Sequence, residues 1–538
     1  MSTSLPWYKT AVFYELYVRA FNDSNGDGWG DLQGVIEKLD YLRDLGVDCI
    51  WLLPIAPSPL RDDGYDVSDY CDIHPMYGKM DDFRRLVKAV HARGLRLLVE
   101  LVPNHTSDQH AWFQASRDPN HPEHETYKDY YVWSETPERY QGARIIFLDT
   151  EKSNWSYDPV RKAYYWHRFF SHQPDLNYDN PAVQRAMLRT IQFWIDEGVD
   201  GIRVDAPPYL FEREGTNCEN LPETHLFLKR LRAFVEAYAP GTMLLSEANQ
   251  WPEDVIHYFG TGDEMHMNFH FPLMPRLYMA LAKANRAPIE AILERTPALP
   301  EVCQWGTFLR CHDELTLEMV TPDERQWMWE TYAPDERMRL NLGIRRRLAP
   351  LMNNDPRKIM LLNSMLFTMG GSPFLYYGDE IGMGDNIWLD DRNGVRTPMQ
   401  WNDGLNGGFS NAAPEKLYAP VIRAAPFEYA TVNVARQEHD PESLLNKTRH
   451  MIATRRQHPV FGAGSFRWAD VGSGAVAAYW REYQESQMLV LNNLSEQTMT
   501  VSIETRPGGY VNVLDQKPFT GHQIRLEPYQ YLWLAPQG

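Results

Sequence analysis

Short apolar runs alternate with amphipathic stretches along most of the chain, in the order strand, then helix. Residues 11–18 read as a strand, and Leu32, Ile36, Leu39 and Leu42 then recur at helical spacing. Residues 49–53 predict a buried strand, 83–93 a helix and 95–102 a third strand. After an interruption, Pro181 opens a helix that runs through Trp194, followed by a strand at 201–205, a helix at 226–238 and a strand at 243–247. Further strands are predicted at 265–270, 307–312 and 374–377. The eight strand runs are nearly continuous in apolar residues, as strands covered on both faces are. Several end in polar or charged residues: Asn104 and His105, Asp205, Glu247, His312 and Asp313. A (β/α)8 TIM barrel gathers its site at the C-terminal ends of its strands, so this pattern predicts that fold. A doubly wound sheet is the weaker alternative, because no glycine-rich fingerprint follows the first strand.

The interruption, residues 104–177, is too long for an ordinary βα loop. It is rich in aromatics (Trp112, Trp133, Trp155, Tyr164, Tyr165, Trp166) and predicts a small domain inserted after strand 3, over the barrel mouth. A second polar insertion spans 321–335. Beyond about Phe461 the helical signal stops, and 475–483, 487–494, 499–504 and 530–534 alternate like antiparallel strands. The expected fold class is therefore α/β, with a barrel from 1–103 and 178–455, an inserted domain at 104–177 and a C-terminal antiparallel β-sandwich at 456–538.

Charge and composition exclude several function classes. Lys and Arg number 53 against 72 Asp and Glu, a net charge of −19, which repels phosphate backbones and anionic lipid. The densest basic run, Arg345-Arg346-Arg347, reads as one short helical stretch, so no nucleic-acid partner is expected. No stretch reaches the roughly 18 apolar residues of a membrane span; the longest, 360–371, is interrupted by Asn363 and Ser364. Five scattered cysteines suit a reducing compartment, and residues 1–16 lack the basic region and apolar core of a signal peptide. A cytoplasmic location is expected.

Three carboxylates stand out by position. Strand alternation puts Arg203 and Asp205 on one face, and a guanidinium beside Asp205 favours its ionised form, which suits a nucleophile. Glu247 follows Met243, Leu244, Leu245 and Ser246, a partly apolar setting that can keep it protonated as an acid. Retaining glycoside chemistry asks for such a pair, roughly 5–5.5 Å apart. With 72 acidic residues, any one strand-end carboxylate is more readily a helix cap or an arginine partner. Three of them on separate strand ends, with Arg203 and His312 beside two, point to chemistry.

The same residues carry a family resemblance. Val102-Pro103-Asn104-His105, Gly201-Ile202-Arg203-Val204-Asp205, Glu247-Ala248-Asn249 and His312-Asp313 resemble, in order, four signature regions of the alpha-amylase superfamily. Gln173-Pro174-Asp175-Leu176-Asn177 resembles its fifth, in the form seen in oligo-1,6-glucosidase-like members. Residues 213–225, 247–252 and 377–387 are similar to the branch of maltose glucosyltransferases that make trehalose, and this similarity runs over nearly the whole chain. The resemblance implies reversible conversion of maltose to trehalose through a covalent glucosyl-enzyme, with minor hydrolysis. A retaining hydrolase, an alpha-glucosidase or oligo-1,6-glucosidase, is the alternative. A catalytically dead binding barrel is disfavoured by the intact Asp205, Glu247 and Asp313.

By resemblance, Asp205 is the nucleophile, Glu247 the acid/base and Asp313 the transition-state stabiliser. Arg203, His105 and His312 complete the pocket for the non-reducing glucose, Tyr65 stacks on its ring and Asp66 binds its outer hydroxyls. Glu100 stands where the superfamily usually has Asp, and Cys311 where this branch tends to have Asn. The inserted domain and 213–225 are the expected lids.

The run from Asp23 to Asp31 has oxygen ligands at alternate positions but Gly34 at the twelfth, so it is no EF-hand. An Asx-turn explains its composition without metal. The resemblance implies a structural calcium held by Asp23, Asn25, Asp27, the Trp29 carbonyl and Asp31. It implies a second set of Asn104, Asp175, the Tyr209 and Leu210 carbonyls and Glu212, tying the inserted domain to the barrel. No organic cofactor is expected; maltose and trehalose are the expected small-molecule partners, and a homo-oligomer stays open.

Overall fold

A computed structural model describes residues 5–537; the expectation for 1–16 falls in part on residues outside that range. Eight parallel strands close a barrel: β1 (Phe13–Leu16), β2 (Cys49–Leu52), β3 (Arg96–Leu101), β4 (Gly201–Val204), β5 (Met243–Ser246), β6 (Met267–Phe269), β7 (Gln304–Phe308) and β8 (Ser372–Tyr376). Each of the eight apolar runs supplies one strand. Each strand pairs with its neighbours in sequence, and the ring closes where Phe13 pairs with both Cys49 and Phe374. Aromatic rings fill part of the interior: Phe13 stacks on Phe374 at 4.2 Å, and Phe269 meets Phe374 at 4.9 Å. Gly306 makes room for them, since a Cβ there would come within 3.1 Å of the Phe374 and Phe269 rings.

Three local expectations are corrected. Residues 32–42 form two helices, Leu32–Glu37 and Leu39–Leu45, because the backbone leaves helical geometry at Lys38 (φ −103°, ψ 4°). β7 ends at Phe308, so His312 and Asp313 stand on the loop beyond it. Arg345-Arg346-Arg347 is not a helix but a connection into helix Leu348–Leu351. Its side chains are spent inside the protein: Arg345 on the Leu389 and Asp391 carbonyls, Arg346 on Asp385 and Arg347 on the Tyr377 carbonyl and Asp379.

The interruption after β3 contains a three-stranded sheet, with Ala163–Trp166 between Trp133–Ser134 and Trp155–Asp158. Its small core of Val132, Tyr140, Trp155 and Trp166 also takes in Cys218, which belongs to the segment after β4. Residues 321–335 contain helix Pro322–Tyr332, whose start carries a capping box of Thr321 and Glu324. Helix Leu444–Gln457 runs across position 456, and the first C-terminal strand begins at Ser465. From there a six-stranded antiparallel sheet and a two-stranded pair enclose a separate core that includes Val476, Leu489 and Leu532.

The C-terminal sheet docks on helix Pro356–Thr368. Ser364 donates to Asn492 at 2.8 Å and accepts from the Trp533 indole at 2.9 Å. Arg481 donates to the carbonyls of Thr368, Met369, Gly464 and Ser465, while Arg455 donates to those of Phe367 and Gly371. Both guanidinium groups thus sit at the helix C-terminus, where the backbone dipole is negative.

Candidate active site

The strand ends of the barrel deliver the three carboxylates to one cavity. Asp205 follows β4, Glu247 follows β5, and Asp313 stands five residues beyond β7; all three line the same pocket. Beneath them Arg203 acts as a hub. Its Nη1 donates to Asp205 at 2.6 Å and to Glu100 at 3.0 Å, and its Nη2 lies 2.6 Å from Glu247. Asp205 and Glu247 are also within hydrogen-bond reach of each other. Burial pushes the Glu247 carboxyl well above the ordinary range; Arg203 opposes it, and the charges of Asp205 and Asp313 add to it. Asp313 goes the other way: burial would raise it, but His312, Arg392 and Arg396 hold it well below the usual carboxylate range. Arg392 and Arg396 reach its Oδ1 at 2.9 and 2.8 Å. One carboxyl that keeps its proton beside two carboxylates is an arrangement that can donate a proton and attack at one anomeric centre.

The pocket walls bring together most of the expected sugar-binding residues. Tyr65 stacks on His312 with ring centroids 5.4 Å apart, and its hydroxyl lies 2.7 Å from His312 Nε2. His105, buried and pushed down to about 4 by that burial, is a neutral ring bonded to the Tyr65 carbonyl at 3.1 Å. Asp66 does not reach the cavity. Its carboxylate is buried and accepts from the Ser58 hydroxyl and the backbone N–H groups of Arg61 and Asp62. Asp62 lines the pocket instead, paired with Arg392 at 2.7 Å and accepting from Gln173 at 2.8 Å. The tight turn at Gly64 (φ +107°) lies between the two aspartates.

Sequence reasoning missed Asp62, Arg392, Arg396 and Glu15. The arginines lie in a loop beyond β8 with no strand-end signal, and Glu15 is hidden inside a run read simply as an apolar strand. Both departures sit at the site. Glu100 accepts from the Trp51 indole and the Tyr65 hydroxyl as well as Arg203. Cys311 lines the cavity with its thiol pushed well up by burial, the reverse of what a thiolate nucleophile needs.

The two expected lids are fastened to one another and to the cavity wall. Arg144 of the inserted domain donates to Glu219 at 2.8 Å, Glu318 at 2.9 Å and the Tyr209 hydroxyl at 3.2 Å. The Tyr140 amide donates to Glu214, and the Gly142 backbone passes so close to Thr216 that a Cβ would lie 2.4 Å from its carbonyl oxygen. On the other side, Asp149 accepts from the Asn341 amide at 2.8 Å.

The two metal-ligand sets look different. In the first, Asp23 accepts from three backbone N–H groups and Ser410, and Asp31 from Ser24 and the Gly34 amide. These are Asx-turn and helix-cap bonds. In the second, Asn104 Oδ1, Asp175 Oδ2 and Glu212 Oε1 are buried without any hydrogen-bond partner. Burial raises both carboxyls, and the Asp175 charge raises Glu212 further. Among the described residues no group of three or more His, Cys, Asp or Glu side chains could hold a metal, so Asn104 and backbone carbonyls would have to complete the second set.

Comparison with known proteins extends the geometry. The family described as "Alpha amylase, catalytic domain" matches residues 15–464, and "Maltogenic Amylase, C-terminal domain" matches 466–533. The trehalose synthase/amylase of Mycolicibacterium smegmatis is 56% identical over 95% of this chain and 88% of its own length. The trehalose synthase of Pimelobacter sp. is 55% identical over 93% of this chain and 89% of its own. Among solved structures, the trehalulose synthase of Pseudomonas mesoacidophila superposes with a TM-score of 0.80 at 28% identity, covering 99% of this chain and all of that one. The isomaltulose synthase of a Klebsiella species does so at 0.80 and 27% identity, with the same coverage.

Proposed function

The chain belongs to the trehalose synthases of the alpha-amylase family, and from that premise we propose that it converts maltose reversibly to trehalose by moving one glucosyl unit inside a closed site. An Asp205 oxygen attacks the anomeric carbon of the non-reducing glucose as the bond to the second sugar breaks, and Glu247 gives its proton to the departing oxygen. The resulting glucosyl ester is held while the freed glucose turns. Its anomeric hydroxyl then attacks, Glu247 takes back the proton and the ester bond to Asp205 breaks. Two inversions keep the α configuration. Asp313, ionised between Arg392 and Arg396, grips hydroxyls of the reacting sugar, and Tyr65 gives its ring a platform.

The observation that carries this reading is a carboxyl that holds its proton, Glu247, within hydrogen-bond reach of Asp205. Inverting chemistry needs carboxyls roughly 6.5–9.5 Å apart, with room for water between them. Isomerisation rather than hydrolysis is favoured by the fastened lids, which exclude water while the sugar turns. NMR analysis of products from maltose alone tests it: trehalose as the main product, with free glucose as a minor leak, is expected. Glucose as sole product would make the enzyme an alpha-glucosidase.

We also propose a structural calcium, resting mainly on the second set, where three buried oxygens lack partners. A cation there would be held by Asn104, Asp175, Glu212 and the Tyr209 and Leu210 carbonyls, and would supply rigidity rather than chemistry. The Asp23–Asp31 loop is the weaker half of this proposal, because its buried carboxylates are already engaged. The cytoplasm is our proposed location, supported by five cysteines without a disulfide among the described residues. No helix there is long and apolar enough to cross a membrane.

A further inference from the structure

Beneath the sugar pocket a chain of buried groups leads from Asp313 and Tyr65 to Glu15, which has no part in the reaction steps. Glu15, on β1, is 1% exposed; its Oε1 accepts the His312 backbone N–H at 3.1 Å and lies 2.5 Å from the ring Nδ1. On the far side of the ring, Nε2 lies 2.7 Å from the Tyr65 hydroxyl and 3.2 Å from Asp313 Oδ2. The Tyr65 hydroxyl also faces Glu100 Oε1 at 3.1 Å.

The acceptors along this chain bear on the state of the ring. A phenol has one hydrogen. Glu100 Oε1 takes the Trp51 indole N–H and faces the Tyr65 hydroxyl, and with the Tyr65 hydrogen pointing to it the Tyr65 oxygen is left to accept from Nε2. Asp313 Oδ2, on an ionised carboxylate, can only accept as well. Nδ1 faces a carboxylate oxygen that already takes the backbone N–H. With Glu15 ionised, this set of acceptors is matched by a ring that donates from both nitrogens, the imidazolium.

We propose that Glu15 is a positioning residue that keeps His312 doubly protonated, so that the ring steers the Asp313 carboxylate and the Tyr65 platform from one point. Glu15 touches no substrate and acts through His312. A buried carboxylate with only neutral donors is costly to desolvate, and an imidazolium beside it offsets that cost. The low position of Asp313 is the same interaction seen from the other side of the ring, since His312 is the strongest of the charges that hold it down. The groups facing the ring are Glu15 from β1, Tyr65 and behind it Glu100 from β3, and Asp313 and Arg396 from the loops beyond β7 and β8. Arg396 donates to the His312 carbonyl at 2.8 Å and to Asp313, not to the ring. The Trp51 ring closes one edge at 6.0 Å.

The effect on turnover rests on the transglucosylation reading, but the state of the ring is read separately. In protein carrying ¹⁵N-labelled histidine, His312 is expected to show both nitrogens protonated at pH 7, and in Glu15→Gln a single N–H. Gln keeps an acceptor for Nδ1 but removes the charge, so the fold is expected to survive with a melting temperature within a few degrees. The kcat on maltose is expected to fall about 100-fold with KM changed less than threefold, by analogy with loss of one preorganised stabiliser. The loss grows as pH rises, because an imidazole without Glu15 gives up its proton earlier. Glu15→Asp is expected to recover part of kcat. A neutral His312 in the unmodified protein at pH 7 would overturn the proposal, as would unchanged kcat in a folded Glu15→Gln. If that variant does not fold, the signal of the unmodified protein still decides. If maltose yields no trehalose at all, the function fails while the His312 signal stands.

Discussion

Buried arginines occur at the two ends of this molecule's architecture, and they are answered differently. At the barrel mouth Arg203 faces Glu100, Asp205 and Glu247, while Arg392 and Arg396 share Asp313. At the seam with the C-terminal domain Arg455 and Arg481 face only carbonyl oxygens, and burial brings them down to about 9 and about 10. Carboxylates can trade protons and form bonds, so the charge at the mouth is part of a reactive set. Carbonyls at a helix end can do neither, so the charge at the seam is structural: Arg481 ties the C-terminal sheet to the helix end, and Arg455 ties a second barrel helix to it.

That contrast breaks most sharply at the nucleophile. Asp205→Asn is expected to lower maltose turnover by about 10⁴-fold or more with the fold intact by melting, since the bond-forming oxygen is lost. Near-native turnover by the purified variant would remove the assignment. Glu247→Gln comes next, with a loss of about 10²–10³-fold on maltose that an α-glucosyl fluoride, needing no proton, largely spares in the first step. Because Glu247 is raised, the rate on maltose falls on the alkaline side as that proton leaves, and this limb should be missing from the first step with the fluoride.

Arg481→Leu is the mirror experiment at the seam. It leaves four carbonyls without their donor and is expected to cost about 3 kcal/mol in urea unfolding, with kcat per folded molecule unchanged. A matching loss of kcat would erase the distinction between the two regions. A smaller effect is expected from chelation, which lowers the melting temperature by a few degrees until calcium is restored. Asp175→Asn in place of chelator sharpens that test, because it addresses the second ligand set alone. The smallest effect expected is on partition: Arg144→Ala, which removes its ties to Glu219 and Glu318, raises the glucose-to-trehalose ratio a few-fold while total maltose consumption changes little.

The barrel was legible because β-strands covered on both faces leave continuous apolar runs, and because a strand end followed by Asp205 or Glu247 breaks such a run abruptly. What could not be read was partnership. Asp62 and Asp66 differ by four positions in one loop, and only the folded loop shows which one meets Arg392, more than 300 residues away. Glu15 looks like one polar interruption in a strand until β1 and the loop after β7 are brought together. The arginine run at 345–347 reads as a short helical stretch, and its true acceptors, backbone carbonyls and distant aspartates, leave no periodicity in the sequence.

The closure of the barrel also has a kinetic side. β1 meets one neighbour, β2, soon after it is synthesised, but its other neighbour, β8, arrives only after some 370 residues have left the ribosome. Until Ser372–Tyr376 emerges, the nascent chain holds an open sheet with two unpaired edges, the kind of surface that recruits chaperones or aggregates. The loop carrying Arg392 and Arg396 follows β8 and is made later still. A chain that stops short of this stretch is therefore catalytically silent, and residues 372–396 both seal the sheet and complete the sugar pocket.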